Sequence, residues 1–373
     1  MKFLHLSDLH IGKTLDGISM IEEQIHAFTQ IIGYINTYNP DAVVIAGDIY
    51  DRPIPGVEAV CVFDNFLTEL TNLGVCTMII AGNHDSPERI NFASRLLVDK
   101  RLFLCGVYSG NIPKITLTDA YGDVHFWMLP FVKPSSLKST HDELIETHEE
   151  AIAAVLTATN IDYAQRNVLI SHQFYSKTGL DLMRSDSELD PIGGLDAISS
   201  TLITNFDYVA LGHLHQAQSV GSSHIRYSGS PIKYSFSEWQ HNKSVTLVEL
   251  KEKNDLAITH LPLVPIHDMR TIKGTLDQVL SASGNSDDYL WVTLTNEEDI
   301  LDPMEKLRSR YPNVLRMDIE NSRTSIDINA VTANIEAIKN VSTYELFEEF
   351  FLSIQGSVMN AEQGDIVRQL LEV

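Results

Sequence analysis

Asp8-Leu9-His10, Gly47-Asp48, Gly82-Asn83-His84-Asp85, Ser171-His172 and Gly212-His213-Leu214-His215 gather carboxylates, imidazoles and one carboxamide into five short runs, each at the end of an apolar stretch. Mixed oxygen and nitrogen donors suit divalent cations of the Mn, Fe or Zn type, whereas an all-oxygen set would favour Mg or Ca. Two such cations, held about 3.5–4 Å apart, need a shared ligand, and a carboxylate is the natural one. Asp48 is the candidate for it. A cation pair of this kind makes hydroxide available near neutral pH and neutralises charge on phosphate oxygens, so the chemistry in view is hydrolysis of a phosphate ester. Taken singly, these residues have ordinary roles. Asp8 would cap a helix, Asp48 or Asn83 would make a turn, and His172 would be a satisfied core histidine. Their occurrence together, at five strand ends and in this order, is what points to a site.

Positioning these runs requires strands whose carboxyl ends meet. Residues 3–6, 42–46, 77–81, 168–170 and 208–211 read as buried strands of an α/β fold, and all five runs follow them directly. In open α/β sheets ligands sit beyond the carboxyl ends of the strands. Between the first two strands Ile21, Ile25, Phe28, Ile31, Ile32, Ile35 and Tyr38 recur at helical spacing, and between the next two Val60, Phe63, Phe66, Leu67, Leu70 and Leu73 do so, ending at Gly74. Residues 126–129, 245–250 and 258–261 read as further strands, of a second sheet.

Near 262–265 the pattern changes, which sets a first domain at 1–265. Residues 266–320 read as a small β-α-β-α-β unit, with strands at 289–295 and 314–319 and a helix at 303–310. A polar linker is expected over 321–340. Within 341–373 two short helices are expected, the first with Phe347, Phe350, Phe351 and Ile354 on one face.

Composition narrows the function classes. No apolar stretch approaches the roughly 20 residues needed to span a bilayer, and Met1-Lys2-Phe3-Leu4-His5 meets charge too soon for a signal peptide. Cys61, Cys76 and Cys105 are an odd set without paired spacing, so a reduced cytoplasmic protein with three small buried thiols is expected. The net charge is −23, of which −13 falls in residues 1–265 and −10 in 266–373. Such acidity argues against strong autonomous binding to nucleic acid and fits an enzyme whose grip on DNA comes from a partner.

The order Asp-x-His, Gly-Asp, Gly-Asn-His-Asp, His, Gly-His-x-His resembles the calcineurin-like metallophosphoesterase superfamily. Within it, Asp8-Leu-His-Ile-Gly12, Gly47-Asp-Ile-Tyr-Asp51, Ala81-Gly-Asn-His-Asp-Ser86, Ala210-Leu-Gly-His-Leu-His215 and Tyr227-Ser-Gly-Ser-Pro-Ile-Lys-Tyr-Ser-Phe-Ser-Glu238 resemble the SbcD family of bacterial double-strand-break repair nucleases. The last run is not a metal motif, and it is the most specific of the set. The resemblance implies a sandwich of two β-sheets flanked by helices, with a small α+β capping domain at 266–320 and C-terminal helices. It implies that Asp8, His10 and His215 hold one metal, that Asn83, His172 and His213 hold the other, and that Asp48 bridges them. The metals it implies are two Mn²⁺. His84 would act on the leaving oxygen, and Asp85 would either orient it or serve as a turn-capping acid; Arg52, Arg89 and Arg95 are candidates for contacting phosphate or else solvated surface charges. Asp51 stands where some relatives carry a substrate-facing histidine, which leaves its role open.

The activity implied is Mn-dependent hydrolysis of DNA, exonucleolytic on duplexes and endonucleolytic on single strands and hairpins, in repair, recombination and replication. The partners implied are DNA, an SbcC-type coiled-coil ATPase and a second copy of the nuclease subunit within a heterotetramer. The tail helices are the candidate docking segment for the ATPase. Two alternatives keep the fold: a phosphatase or phosphodiesterase acting on a phosphoprotein or small diester, and a non-catalytic scaffold. Against the first stands the 227–238 run with its capping module; against the second, every expected ligand and His84 are present.

Overall fold

Side chains on a strand alternate between faces, and β1 (Lys2–Leu6) buries both: Phe3 on one side, Leu4 and Leu6 on the other. β2 (Ala42–Ala46) repeats this, with Ala42, Val44 and Ala46 opposite Val43 and Ile45. Between them α1 (Ile21–Tyr38) packs Phe28, Ile31 and Ile35 onto the Leu4/Ile45 face, and α2 (Val57–Asn72) adds Phe63, Phe66 and Leu70. β3 (Cys76–Ile80) and β4 (Leu102–Cys105) extend the sheet in parallel. The computed structural model describes residues 1–137, 145–188, 197–282, 287–322, 324 and 343–371.

The chain then builds a second sheet from β5 (Lys114–Asp119), β6 (Gly122–Leu129), β7 (Arg166–Ser171), β8 (Tyr208–Leu211), β9 (Gln218–Val220) and β10 (Ser222–Tyr227), in the order β9-β10-β8-β7-β6-β5. Its outer face is covered by α3 (His148–Ala158) through Ala151, Ile152 and Val155. β11 (Ser244–Leu250) and β12 (Leu256–Pro262) return to the first sheet, whose order is β12-β11-β1-β2-β3-β4. Phe3, Val44 and Met78 of one sheet meet Phe126, Val168 and Tyr208 of the other in a shared core, with Phe3 edge-on to Phe126 at 5.3 Å.

Three expectations differ from the structure. Of the three further strands assigned to a second sheet, only β6 lies there; β11 pairs antiparallel with β1 (Phe3 opposite Val248), while β7 and β8, which lead into His172 and into His213 and His215, form the second sheet's centre. An apolar run fixes that a strand is buried but not which edge it joins. The helical faces are also rotated slightly: Ile25, Val60 and Leu73 are 47%, 44% and 42% exposed, and Cys61 faces solvent while Cys76 and Cys105 are buried. In α2 the buried stripe runs through Ala59, Val62, Phe63, Phe66 and Leu70, which leaves Cys61 on the opposite side.

Contacts divide the chain into Met1–Asp268 and Met269–Val373. The second unit holds three parallel strands, β13 (Met269–Gly274), β14 (Tyr289–Leu294) and β15 (Val314–Ile319), with α4 (Leu276–Ser281) and α5 (Pro303–Arg310) between them. Val279, Leu290, Val292, Leu307 and Val314 form its own core. α6 (Thr343–Gln355) and α7 (Ala361–Leu371) follow, with Phe350, Ile366 and Leu370 exposed. Apart from residues 321, 322 and 324, the linker expected at 321–340 lies outside the described residues. Among the described residues no helix is long and apolar enough to cross a membrane.

Candidate metal centre

All five runs leave their strands at the same edge of the sandwich, three from the first sheet and two from the second. Tight turns bring their side chains together. Asp8 (φ 54°), His10 (φ 41°), Asp48 (φ 51°) and His213 (φ 109°) all adopt left-handed backbone, which costs a non-glycine residue about 1–3 kcal/mol and persists only where the surroundings enforce it. The enforcement is visible as main-chain pairing: Asp8 N–H donates to Gly47 O (3.0 Å), His10 N–H to Asp48 O (3.0 Å), and Ile11 N–H to Ile49 O (2.9 Å). Gly82 is obligatory for lack of room, because a Cβ there would lie 2.2 Å from Asp48 Oδ1. Gly47 combines φ 87° with a Cβ position 2.3 Å from His172 Nδ1.

Three groupings result. His10 Nε2 faces His215 Nε2 at 3.1 Å, and both atoms gather with the Asp8 carboxylate, fully buried. Asn83 Oδ1 lies 2.9 Å from His172 Nε2 and 3.1 Å from His213 Nδ1. Asp48 Oδ2 sits between the groups, 3.6 Å from His10 Nε2 and 3.3 Å from His172 Nε2. The Asp8 carboxylate accepts the main-chain N–H of His213, at 2.9 Å to Oδ1 and 3.1 Å to Oδ2, so it also ties the two sheets together.

The electrostatics of this cluster fit a cation. Burial holds His10 well below the usual imidazole range and His213 down at about 3, so both offer lone pairs. Burial also opposes charge on His172, yet Asp48 and Asp8 push it up to about 9; in turn, His172 overcomes burial to hold Asp48 well below the usual carboxylate range. Positive charge is thus favoured beside the Asp48 carboxylate, and in the chain alone His172 carries it. Lys13 is engaged with Asp51 and Lys243 with Glu238, so neither lysine supplies it. His10 Nε2 and His215 Nε2 at 3.1 Å, with an amide oxygen and two carboxylates nearby, form a donor set of the kind that suits a divalent cation. His172 Nδ1–H donates to the Ala46 carbonyl at 2.6 Å, which orients Nε2 into the cluster.

His84 stands at the rim, half-buried and edge-on to His10 at 4.8 Å. Its main-chain N–H donates to Asp48 Oδ1 (2.8 Å), and its Nδ1–H donates to the Asp51 carbonyl (3.0 Å). The Asp51 carbonyl thus makes the contact to His84, and of the two roles open to Asp85 the turn-capping one fits its contacts. Asp85 accepts the N–H groups of Ile49 (3.1 Å), Tyr50 (2.9 Å) and Gly82 (2.9 Å), pinning two of the motif turns together. Burial and the nearby Asp48 push its carboxyl up to about 6. Asp51 also pairs through its carboxylate with Lys13 at 3.0 Å and with Arg52 Nε at 3.5 Å. Arg52 is 75% exposed, and Arg89 and Arg95 are exposed as well, with no described side-chain contact to the cluster.

Sequence reasoning missed the residues behind the ligands. Gln24, fully buried in α1, donates to the carbonyls of Leu9 (3.2 Å) and His10 (2.8 Å) and to Tyr234 Oη (3.0 Å). Tyr234 donates to the Leu9 carbonyl, and Glu238 lies 3.3 Å from His215 Nδ1. A signal for Gln24 exists: it occupies the apolar stripe Ile21, Gln24, Phe28, Ile31, where a polar side chain needs a buried partner.

The calcineurin-like phosphoesterase profile matches residues 1–217, and the profile described as the type 5 capsule protein repressor C-terminal domain matches residues 265–354. A relative from Staphylococcus epidermidis, the SbcD component of the SbcCD nuclease, is 32% identical over 100% of this chain and 98% of its own length. The corresponding SbcCD component of Staphylococcus saprophyticus is 29% identical, again over 100% of this chain and 98% of that one. A solved dimetal phosphatase from Danio rerio aligns over 71% of this chain and 97% of its own at 14% identity, with a TM-score of 0.42. Full-length likeness to two SbcD chains and a matching phosphoesterase profile place the chain in the SbcD family of calcineurin-like phosphoesterases, whose fold implies binding of divalent metal.

Proposed function

We propose that this chain is the nuclease subunit of an SbcCD-type complex and hydrolyses DNA phosphodiesters with two Mn²⁺ bound. The observation that carries the reading is the Asp48 carboxylate, within reach of an imidazole from each side of the centre: His10 at 3.6 Å and His172 at 3.3 Å. Asp8, His10 and His215 hold one cation, Asn83, His172 and His213 the other, and Asp48 both. Bound there, the cations supply Lewis acidity, making a water acidic enough to attack near neutral pH and neutralising charge on the non-bridging phosphate oxygens. His84 has committed its main-chain N–H to Asp48 and Nδ1 to Asp51, so Nε2 is the atom that steadies or protonates the departing sugar oxygen. Arg52 and Arg89, both exposed, are assigned to the DNA backbone.

The chain's −23 charge fits a subunit that shares its grip on DNA with an SbcC-type coiled-coil ATPase. We assign α6 and α7 to docking that partner, since Phe350, Ile366 and Leu370 are 59%, 58% and 72% exposed. The homodimer contact is assigned to the segments that follow the Asp51 and His84 turns, where Ile54, Val57, Phe92 and Leu96 are 74–82% exposed. The small unit is read as the module that sorts substrates. Three free thiols fit a cytoplasmic setting.

The test is incubation of the purified chain with end-labelled duplex and hairpin DNA in Mn²⁺, with and without the ATPase partner. Shortened duplex and opened hairpin are expected. Phosphate release from a phosphopeptide, with no DNA cut under either condition, would overturn the nuclease reading in favour of a phosphatase.

A further inference from the structure

The 227–238 run contains no metal motif, yet its side chains converge on one half of the centre. Ser228 Oγ shares a 2.8 Å hydrogen bond with Ser7 Oγ, and Ser7 donates to the Asp8 carboxylate. Tyr234 stands edge-on to both His10 (5.5 Å) and His215 (5.9 Å). Glu238 is fully buried, and its Oε1 accepts from Ser185 (2.8 Å) and Ser187 (2.7 Å) beside His215 Nδ1. Ser187 Oγ is itself 2.7 Å from that nitrogen. Glu238 Oε2 accepts from Lys243 Nζ at 2.6 Å, and Lys243 also donates to the His215 carbonyl (2.8 Å) and to Ser230 Oγ (2.8 Å). Glu188 completes the grip by accepting the His215 main-chain N–H at 2.7 Å.

A buried ion pair costs several kcal/mol of desolvation, and an apolar pair of similar volume is often as stable. Here both charges end on one imidazole and its own carbonyl. A carboxylate behind a liganding histidine fixes which nitrogen carries the proton and makes the other a better donor. Among the described residues no carboxylate backs the other half in this way. There His172 leans on a main-chain carbonyl, and Asn83 and His213 are half-buried.

We propose that Glu238 and Lys243 are a positioning pair that holds His215 with its proton on Nδ1 and Nε2 turned inward, making the Asp8/His10/His215 position the tighter of the two cation positions. This rests on the two-cation reading above, and it gives the 227–238 run a physical task.

The test is calorimetric Mn²⁺ titration of the full chain, with Co²⁺ absorption as a spectroscopic readout of each position. In Glu238→Gln the tighter affinity is expected to fall about 10–100-fold and its Co²⁺ band to change, while the weaker position keeps its affinity. Glu238→Gln/Lys243→Met removes both buried charges; it is expected to regain stability without regaining affinity. Wild-type affinity at both positions in folded Glu238→Gln, or full recovery of affinity in the double variant, would overturn the proposal and leave the pair a packing element. Should Glu238→Gln not fold, Ser187→Ala is expected to weaken the same position severalfold, and unchanged affinity there would overturn it equally. A wild-type chain that binds no cation would instead overturn the reading of the site itself.

Discussion

The half of the centre built on Asp8, His10 and His215 and the half built on Asn83, His172 and His213 both draw on the two sheets, but they are supported by different means. The first is buried, and side chains from α1, the 227–238 run and the residues up to Glu188 grip it from behind. The second relies on the Ala46 carbonyl, and the half-buried rings of Phe131 and Phe174 stand near His172 (6.5 Å) and His213 (6.1 Å). A side chain locked by several hydrogen bonds is pre-oriented for a cation, whereas the half-buried Asn83 and His213, beside the buried His172, leave room for a phosphate to approach. The difference teaches that two neighbouring donor groups, alike in composition, can differ in how firmly the rest of the chain holds them.

The most severe way to break the comparison is at the residue both halves share. Asp48→Asn removes the charge that faces His10 and His172 together. Cleavage is expected to fall by at least about 1000-fold, or about 4 kcal/mol, with metal analysis showing less than two Mn²⁺ per chain. A variant that keeps two would show that Asp48 is not shared. His84→Ala is the complementary case: both cations are expected to stay, while DNA cleavage falls by about 100–10,000-fold. Cleavage at the wild-type rate would remove His84 from the chemistry.

Asn83→Ala tests whether the halves separate. Asn83 contributes one neutral oxygen, set against His172 and His213 at 2.9 and 3.1 Å. Its loss is expected to weaken only the more exposed position, by about tenfold or about 1.4 kcal/mol. Electron paramagnetic resonance of Mn²⁺ should then change from a coupled pair to a single bound ion. Equal weakening at both positions would show that the halves act as one unit.

What was legible in the sequence is the part governed by local rules. Buried strands announce themselves as apolar runs, and Asp, His and Asn at five strand ends announce the cluster. What was not legible depends on tertiary placement. Both roles of Asp85 were open from the sequence; that it serves the Ile49, Tyr50 and Gly82 main chain rather than His84 follows from how two turns dock. No local pattern forces Asp8, His10, Asp48 and His213 into left-handed backbone; pairing between loops does. Likewise Glu238 was visible as part of a specific run, but its partner Lys243 and its target His215 become neighbours only when β8, β10 and β11 are assembled. The rotated faces of α1 and α2 show the same limit, since spacing gives a stripe to within about one residue.

The least effect on the comparison itself is expected at the seam between the sheets, which serves both halves equally. His5, on β1, meets Tyr208 Oη at 2.9 Å through Nδ1 and the Leu211 carbonyl at 3.1 Å through Nε2. Burial, aided by the positive charge of Arg226, pushes its pKa down to about 3. The unfolded chain takes up this proton near pH 6.5 and the folded chain does not. The contribution is therefore intact above pH 6.5 and is lost progressively as pH falls toward 3, at about 1.4 kcal/mol per unit. Denaturant unfolding at pH 6.5 and 5.0 measures it: His5→Leu should be less stable than wild type at pH 6.5 but should lose about 2 kcal/mol less on going to pH 5.0. Each half contains residues from both sheets, so loosening the seam in His5→Leu should act on both alike and leave the ratio of their cation affinities unchanged at neutral pH. A variant that shifted one affinity alone would mean that the seam supports the halves unequally, and the asymmetry would then begin in the sheet packing rather than in Glu238 and Lys243.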